Sequence, residues 1–174
     1  MQARLFWAGT PGAGLDRRSL LRLGGVAAVL ALLVGVGVAV EGRYNRRRDL
    51  TEGRSWEASS SWGGTPRQGQ FSRVMTRPFF HTDDESDPWI EIDLGAARPV
   101  TRIEIDNRSD YGKDRAVPLT ISVAVARNAW REVARRDEVF DTWKASLPPN
   151  TQARWLRLQV KRRSLLHLDD VRVY

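Results

Sequence analysis

The chain has 174 residues, no cysteine and a formal net charge of +7, which leaves room for one domain of ordinary size plus a tail. The absence of cysteine excludes a disulfide framework and any cysteine-based zinc or redox site. The basic excess lies mainly in residues 1–54, where nine basic and four acidic side chains give +5, whereas residues 55–174 carry only +2. A basic cluster beside an apolar run is typical of a lipid-facing or solvated segment, and we expect no nucleic-acid partner.

An uncharged apolar run, LGGVAAVLALLVGVGVAV, occupies residues 23–40. As a helix it would be about 27 Å long, close to the ~30 Å hydrocarbon core of a bilayer. Arginines flank it on both sides. The pattern predicts an N-terminal basic segment at 1–22, one transmembrane helix or signal-anchor at 23–40, and a charged linker at 41–54.

The residues before the apolar run bear on topology. The stretch Asp16 to Arg22 (DRRSLLR) resembles a twin-arginine export signal, and no Ala-x-Ala cleavage site lies near Val40. We therefore expect an uncleaved anchor in a single-pass membrane protein whose C-terminal domain is extracytoplasmic. Because arginines are numerous on both sides, the positive-inside rule does not decide the orientation, and cytoplasmic exposure stays open.

Residues 55–174 alternate apolar and polar side chains with a period of two, which predicts strands with one buried face. Turns that contain proline or glycine separate the runs, and no long segment repeats apolar residues at helical spacing. The pattern predicts an all-β domain built as an antiparallel sandwich. The alternating apolar positions are Ile90, Ile92 and Leu94; Ile103 and Ile105; Leu119, Ile121, Val123 and Val125; Leu156, Leu158 and Val160; and Val171 and Val173.

Polar residues suited to binding flank two of these strands. His81 precedes the first strand, and Arg108 and Arg115 follow the second. Two strands joined by a turn would bring these loops to one end of a sheet, and the residue types suit neutral hydroxyl groups better than covalent chemistry. The alternative is a surface network in which the arginines pair with nearby carboxylates. We expect the acidic stretch 83–87 to be a solvated loop, and no nucleophile motif indicates an enzyme.

Five segments of residues 55–174 resemble a discoidin domain, the C-type domain of coagulation factors V and VIII. They are WEASSS (56–61), WIEIDLG (89–95), WREVA (130–134), ARWLRL (153–158) and LHLDDVRVY (166–174). The resemblance implies an eight-stranded, jelly-roll-like β-sandwich with ligand loops at one end.

One branch of that superfamily, the fucose-binding F-type lectins, has a histidine, 26 residues, Arg-x-Asp, four residues and then Arg or Lys. His81, Arg108-Ser109-Asp110 and Arg115 reproduce this spacing. The resemblance implies that His81 and the two arginines donate hydrogen bonds to a sugar and that Asp110 holds an arginine in place. The lectins usually have adjacent cysteines after the aspartate, and here Tyr111 would supply an apolar face instead.

The lectin branch also binds a structural calcium ion. Asp170 matches its acidic ligand near the chain end, but residues 61–66 do not reproduce its Asp-Gly-Asn-like loop. The resemblance thus implies a Ca²⁺ site at Asp170 with an incomplete ligand set.

The leading hypothesis from sequence is a non-catalytic, membrane-anchored module that binds a glycan, such as one bearing a fucose-like sugar, through His81, Arg108, Arg115, Asp110 and Tyr111. Self-association would add avidity to a weak single site. The alternative is a discoidin-type module that binds a cell-surface protein or lipid without sugar binding. It predicts exposed aromatic residues at the same end, such as Trp62, Phe71, Phe79 or Phe80.

Overall fold

The computed structural model describes residues 49–72 and 74–174, which form twelve β-strands and one short 3-10 helix, Lys113–Ala116. The strands are β1 (Ser55–Ala58), β2 (Gln68–Gln70), β3 (Phe80–His81), β4 (Glu85–Ser86), β5 (Trp89–Pro99), β6 (Arg102–Asn107), β7 (Leu119–Ala124), β8 (Arg131–Arg136), β9 (Thr142–Ser146), β10 (Gln152–Val160), β11 (Arg163–Ser164) and β12 (His167–Val173).

Two sheets pack face to face around one hydrophobic core. A six-stranded sheet has the order β2-β1-β5-β10-β7-β8, and a four-stranded sheet has the order β3-β12-β6-β9, while β4 and β11 form a small ribbon. All strand pairs in the described residues are antiparallel. The predicted all-β sandwich is confirmed, and its eight strands of four or more residues match the expected number.

The alternating residues predicted from sequence supply most of the core. Ile90, Ile92 and Leu94 of β5 are fully buried, as are the corresponding side chains of β6 and β7. Val125 is the exception, because β7 ends at Ala124 and Val125 is exposed at the start of the next turn. The prediction for Val125 was wrong because a period of two does not show where a strand ends.

The hairpin expected from sequence between the strands at residues 89–99 and 102–107 is not formed. β5 belongs to the six-stranded sheet and β6 to the four-stranded sheet, so the chain crosses between the two layers at residues 100–101. The loops around His81 and Arg108 still reach one end of the fold. They do so through β12, which lies between β3 and β6.

Residues 49–54, which the sequence analysis assigns to the linker, are hydrogen-bonded to the folded domain. The Leu50 N–H donates to the Val173 carbonyl at 2.8 Å, and the Val173 N–H donates to Asp49 Oδ1 at 3.1 Å. The same Asp49 oxygen accepts from the N–H and the hydroxyl of Thr51 at 3.0 and 2.7 Å. Thr51 is buried, so this turn is part of the packed structure.

The basic segment 1–22, the transmembrane helix predicted at 23–40 and the linker up to residue 48 lie outside the described residues. Within residues 49–72 and 74–174, no helix has the length and apolarity needed to cross a membrane.

Replacement of Asp49 tests whether the domain begins before Ser55. We expect Asp49→Ala to lower the free energy of unfolding by about 2 kcal/mol, because three donors lose a charged acceptor. Urea denaturation followed by tryptophan fluorescence measures the change. The control is Asp137→Ala, which removes an exposed carboxylate that pairs with Arg135 and should change stability by less than about 0.5 kcal/mol. Equal effects of the two variants would show that residues 49–51 do not contribute to the fold.

Candidate functional site

The register of the four-stranded sheet brings together the residues predicted for ligand binding. His167 of β12 lies opposite His81 of β3, and the next residue, Leu168, lies opposite Asn107 at the end of β6. Arg108 follows Asn107 directly, so His81 and Arg108 flank β12 at the same end of the sheet. A bulge between Leu168 and Asp170 locally disrupts this pairing.

His81 is the middle ring of a stack of three. Its ring centroid lies 5.0 Å from that of Trp62 and 4.9 Å from that of His167. His81 Nδ1 lies 2.8 Å from the Thr82 carbonyl and donates to it in the neutral tautomer. Nε2 then carries the free lone pair, and it has no partner among the described residues. His81 is buried and fixed by packing, and in its neutral form Nε2 offers an acceptor, whereas the resemblance implies a donor.

Arg108 is held in place by its neighbours. The residue is only 5 % exposed, and its Nε and Nη2 both donate to the Asp110 carboxylate, with Nη2 at 2.6 Å from Oδ2. This pairing lowers the pKa of Asp110 and raises that of Arg108. The Arg108 guanidinium carbon also lies 4.2 Å from the centroid of the Tyr111 ring. Asp110 and Tyr111 together leave the guanidinium little freedom to move.

Arg115 approaches the same aromatic ring, with its guanidinium carbon 5.8 Å from the Tyr111 centroid. Gly112 precedes the 3-10 helix with φ of +71°, and a Cβ there would lie 3.1 Å from Arg115 Cδ and Nε. The turn therefore requires glycine both for its conformation and for the position of Arg115. Ser164 fixes the backbone by donating to the Arg115 carbonyl at 2.8 Å. Within the described part of the chain, the Arg115 guanidinium pairs with no carboxylate.

His167 lies fully buried beneath these groups. Burial, aided by the positive charge of Arg108, lowers its pKa to about 3. The ring is therefore neutral at physiological pH, and Nε2–H donates to the Gly112 carbonyl at 3.3 Å. His167 is thus a packing residue that connects β3, β12 and the loop that carries Arg115.

A family comparison identifies the domain. The family model of the F5/8 type C domain matches residues 55–166. The chain belongs to the F5/8 type C domain family. This is the discoidin family that the sequence motifs resemble. A comparison with curated proteins found no match.

Solved structures with the same fold include several carbohydrate-binding modules. The lectin domain of lectinolysin, solved with Lewis B antigen, is 21 % identical with a TM-score of 0.59, and the match covers 74 % of this chain and 96 % of that one. A fucose-binding module of Streptococcus pneumoniae is 17 % identical with a TM-score of 0.58, covering 73 % and 94 %. Chitosan-binding module 1 from a Paenibacillus chitosanase/glucanase is 17 % identical with a TM-score of 0.56, covering 74 % and 99 %. At these identities the likeness shows the fold alone.

The alternative from sequence required exposed aromatic residues beside the site of this F5/8 type C domain. Phe71, Phe79 and Phe80 are all buried in the core, and Phe79 packs 5.3 Å from Trp56. Trp62 is 55 % exposed, but its ring packs on His81. Of the four aromatic residues that the alternative predicts to be exposed, only Trp62 is exposed, and binding of a protein or lipid stays a prediction.

The carboxylate of Asp170, the predicted calcium ligand, accepts hydrogen bonds from protein groups. It accepts from the Val171 N–H at 2.9 Å and from Arg172 Nη1 at 2.7 Å. Burial raises its pKa, even though Arg172 and the Val171 N–H act in the opposite direction. No group of three or more metal-ligating side chains occurs within residues 49–72 and 74–174. Calcium binding at Asp170 therefore stays a prediction from resemblance.

The acidic stretch 83–87 is partly structural. Asp83 and Asp84 are exposed, and Asp84 pairs with Arg163 at 3.2 Å. Glu85, by contrast, accepts hydrogen bonds from the hydroxyls of Ser59 and Ser60 at 2.5 and 2.6 Å. Glu85 thus ties the loop after β1 to the ribbon strand β4.

The buried neutral state of His167 predicts a pH dependence of stability. The unfolded chain binds a proton at His167 below pH ~6.5, whereas the folded chain does so only near pH 3. The free energy of unfolding should therefore fall as pH is lowered from 6.5 to 4.5, by up to about 1.4 kcal/mol per pH unit. Urea denaturation at several pH values measures this slope.

The His167→Gln variant is the control for this slope, because an amide keeps an N–H donor for Gly112 but does not titrate. We expect its unfolding free energy to depend less on pH between 6.5 and 4.5. Equal slopes in both proteins would mean that His167 is not the group responsible.

Proposed function

We propose that this F5/8 type C domain is a non-catalytic carbohydrate-binding module whose site is formed by His81, Arg108, Arg115, Tyr111 and Trp62, here called the histidine–arginine site. The observation that carries the proposal is the Arg115 guanidinium, which has no acidic partner in the described part of the chain and faces the same ring as Arg108. An unpaired guanidinium and a histidine nitrogen without a protein partner suit a ligand with several hydroxyl groups.

The two arginines have different roles in this proposal. Asp110 occupies Nε and Nη2 of Arg108, so Arg108 presents only its remaining N–H donors in a fixed direction. Arg115 presents its whole fork of donors. His81 Nε2 accepts a hydrogen bond from a sugar hydroxyl. A ligand bound here would meet donors and an acceptor that need little reorganisation, which lowers the entropic cost of binding.

The aromatic rings would contact the apolar face of the sugar. Tyr111, whose ring lies next to the Arg108 guanidinium, is 64 % exposed, and Trp62, whose ring packs on His81, is 55 % exposed. Aromatic rings pack well on surfaces rich in C–H groups. A deoxy sugar such as fucose offers a methyl group in place of one hydroxyl, and this chemistry favours a fucose-like ligand. The carbohydrate ligands of the similar solved modules support the same class of ligand.

The proposal includes a membrane anchor at residues 23–40, with the domain on the extracytoplasmic side. Its support is the sequence alone: an uncharged run of membrane-spanning length, flanked by arginines and preceded by a stretch that resembles a twin-arginine signal. An anchor would also gather copies of the chain in one plane. Multivalent contact with a glycan surface would then compensate for a weak single site.

The decisive test replaces Arg115. Full-length chain in a polyoxyethylene detergent, which has no sugar headgroup, is applied to a glycan array that includes fucosylated Lewis-type glycans. We expect binding to fucosylated glycans, and Arg115→Ala should weaken it by about tenfold or more because charged hydrogen bonds are lost. Arg135→Ala, which removes an arginine from a surface pair, is the matched control and should bind as the original chain does.

Two results would contradict the proposal: a folded original chain that binds no glycan on the array, or an Arg115→Ala chain that binds as tightly as the original. Circular dichroism of each variant checks that the sandwich is intact.

Tyr111 provides a separate test of the apolar contact. Tyr111→Ala should weaken binding to the preferred glycan by about two- to tenfold, since an aromatic contact contributes about 0.5–1.5 kcal/mol. Tyr111→Phe keeps the ring and should retain most of the affinity. Isothermal titration with the preferred glycan measures both. If the phenylalanine variant lost as much affinity as the alanine variant, the hydroxyl rather than the ring face would be the important group.

A further inference from the structure

A cavity of about 460 Å³ opens on the outer face of the six-stranded sheet, away from the histidine–arginine site. Its lining includes outward-facing residues of β1, β2, β5 and β10. Ile90 and Ile92 of β5 point into the core, so Glu91 and Asp93 between and beyond them point outward into the cavity. The volume falls within the range of about 300–1,000 Å³ that is usual for small-ligand sites. We call this space the sheet-face cavity.

The floor of the sheet-face cavity is polar but its charges are paired. Glu91 is 7 % exposed and accepts from Arg157, whose Nε lies 2.9 Å from Glu91 Oε1. The Arg157 guanidinium carbon also lies 5.2 Å from the ring centroid of Trp89 and 4.4 Å from that of Trp130, so the arginine is held between two rings.

Asp93 is paired in the same way. It accepts from Nε and Nη2 of Arg154 at 3.1 and 3.2 Å, and from the Gly95 N–H at 2.8 Å. Burial alone would raise the pKa of Asp93, but these hydrogen bonds and the charge of Arg154 lower it overall. Asp93 is therefore charged and neutralised by its partner at neutral pH, and the floor offers no unpaired charge to an ionic ligand.

The walls of the sheet-face cavity carry hydrogen-bonding groups that have no partner among the described residues. Gln68 and Gln70 on the edge strand β2 are exposed, and neither amide makes a side-chain hydrogen bond there. Arg127 on the opposite side is also exposed and pairs with no carboxylate in that part of the chain; its guanidinium carbon lies 4.8 Å from the centroid of the Trp155 ring. A half-buried indole, two free amides and a free guanidinium thus surround a neutralised floor.

We propose that the sheet-face cavity is a second carbohydrate site, which binds an internal stretch of a linear, neutral oligosaccharide. Free amides and a guanidinium are suited to hydroxyl groups, and the Trp155 indole offers apolar surface to sugar C–H groups. The floor carries no unpaired charge that would select a charged chain, and the unpaired guanidinium of Arg127 in the wall also donates to neutral hydroxyl groups. The cavity is lined by residues of β2, β1, β5 and β10, which are neighbours in the sheet, so an elongated chain can lie across them.

The two sites lie on different sheets, so this inference does not depend on the histidine–arginine site. If both bind, one domain can hold a polysaccharide at two points. The second contact then benefits from the effective concentration set by the first.

The test is isothermal titration of the full-length chain, in the same polyoxyethylene detergent, with cellohexaose and with N-acetylchitohexaose. We expect saturable binding of at least one hexasaccharide, and excess L-fucose should not displace it. The double variant Gln68→Ala/Gln70→Ala should weaken this binding by about tenfold. Both glutamines are exposed and pair through their backbone, so the variant should fold.

The matched control is Gln152→Ala, which removes an exposed glutamine at the start of β10, outside the cavity lining. It should bind the hexasaccharide with unchanged affinity. Trp155→Phe, which keeps a ring, should bind more tightly than Trp155→Ala. The proposal is overturned if neither hexasaccharide binds, if L-fucose displaces the bound hexasaccharide, or if the double glutamine variant binds as the original chain does. Loss of L-fucose binding alone would contradict the histidine–arginine site and leave the sheet-face cavity supported.

Discussion

The candidate site depends on the hydrogen-bonding of β12 between β3 and β6. This strand is formed by the last residues of the chain, yet it joins a two-residue strand near residue 80 to a strand that ends at residue 107. Without β12, no strand would connect β3, which carries His81, to β6, which precedes Arg108. With it, His81 lies opposite His167, Asn107 lies opposite Leu168, and the two loops meet at one end of the four-stranded sheet.

The position of His167 in that strand carries an electrostatic requirement. A fully buried imidazole beside Arg108 must remain neutral, because a second positive charge there would be poorly solvated and repelled. A neutral ring can stack on His81 and donate to Gly112, and both contacts orient groups that face the ligand. The site is therefore built on a core residue whose charge state is fixed by the fold, while the groups above it provide the hydrogen bonds.

Local patterns made much of the fold predictable, because a period of two reports directly which side chains enter a core. They did not show that β5 and β6 lie in different layers, since a turn of two residues looks the same whether the chain makes a hairpin or crosses between sheets. They also assigned residues 49–54 to a linker, because the partners of Asp49 and Leu50 are more than 120 residues away in sequence. Interactions of that range leave no local pattern.

The same limit applies to the candidate site. The spacing of His81, Arg108 and Arg115 was visible in the sequence, and so was the expectation that a nearby carboxylate holds one arginine. The stack of Trp62 and His167 on His81 was not, because it depends on strand register across β12 and on the path of the loop after β1. The signal that could have suggested it is an aromatic residue, Trp62, in the loop after the strand that opens the domain.

The distribution of paired and unpaired arginines connects the two proposed sites. Arg108, Arg154 and Arg157 are all held by carboxylates and act as rigid parts of the fold. Arg115 and Arg127 are held mainly by aromatic rings, which position a guanidinium without satisfying its N–H donors. A guanidinium held in this way keeps its hydrogen-bonding capacity for a ligand. Most other arginines of the described residues pair with acids. Arg115 and Arg127 do not, and they are therefore the arginines best suited to bind the hydroxyl groups of a ligand.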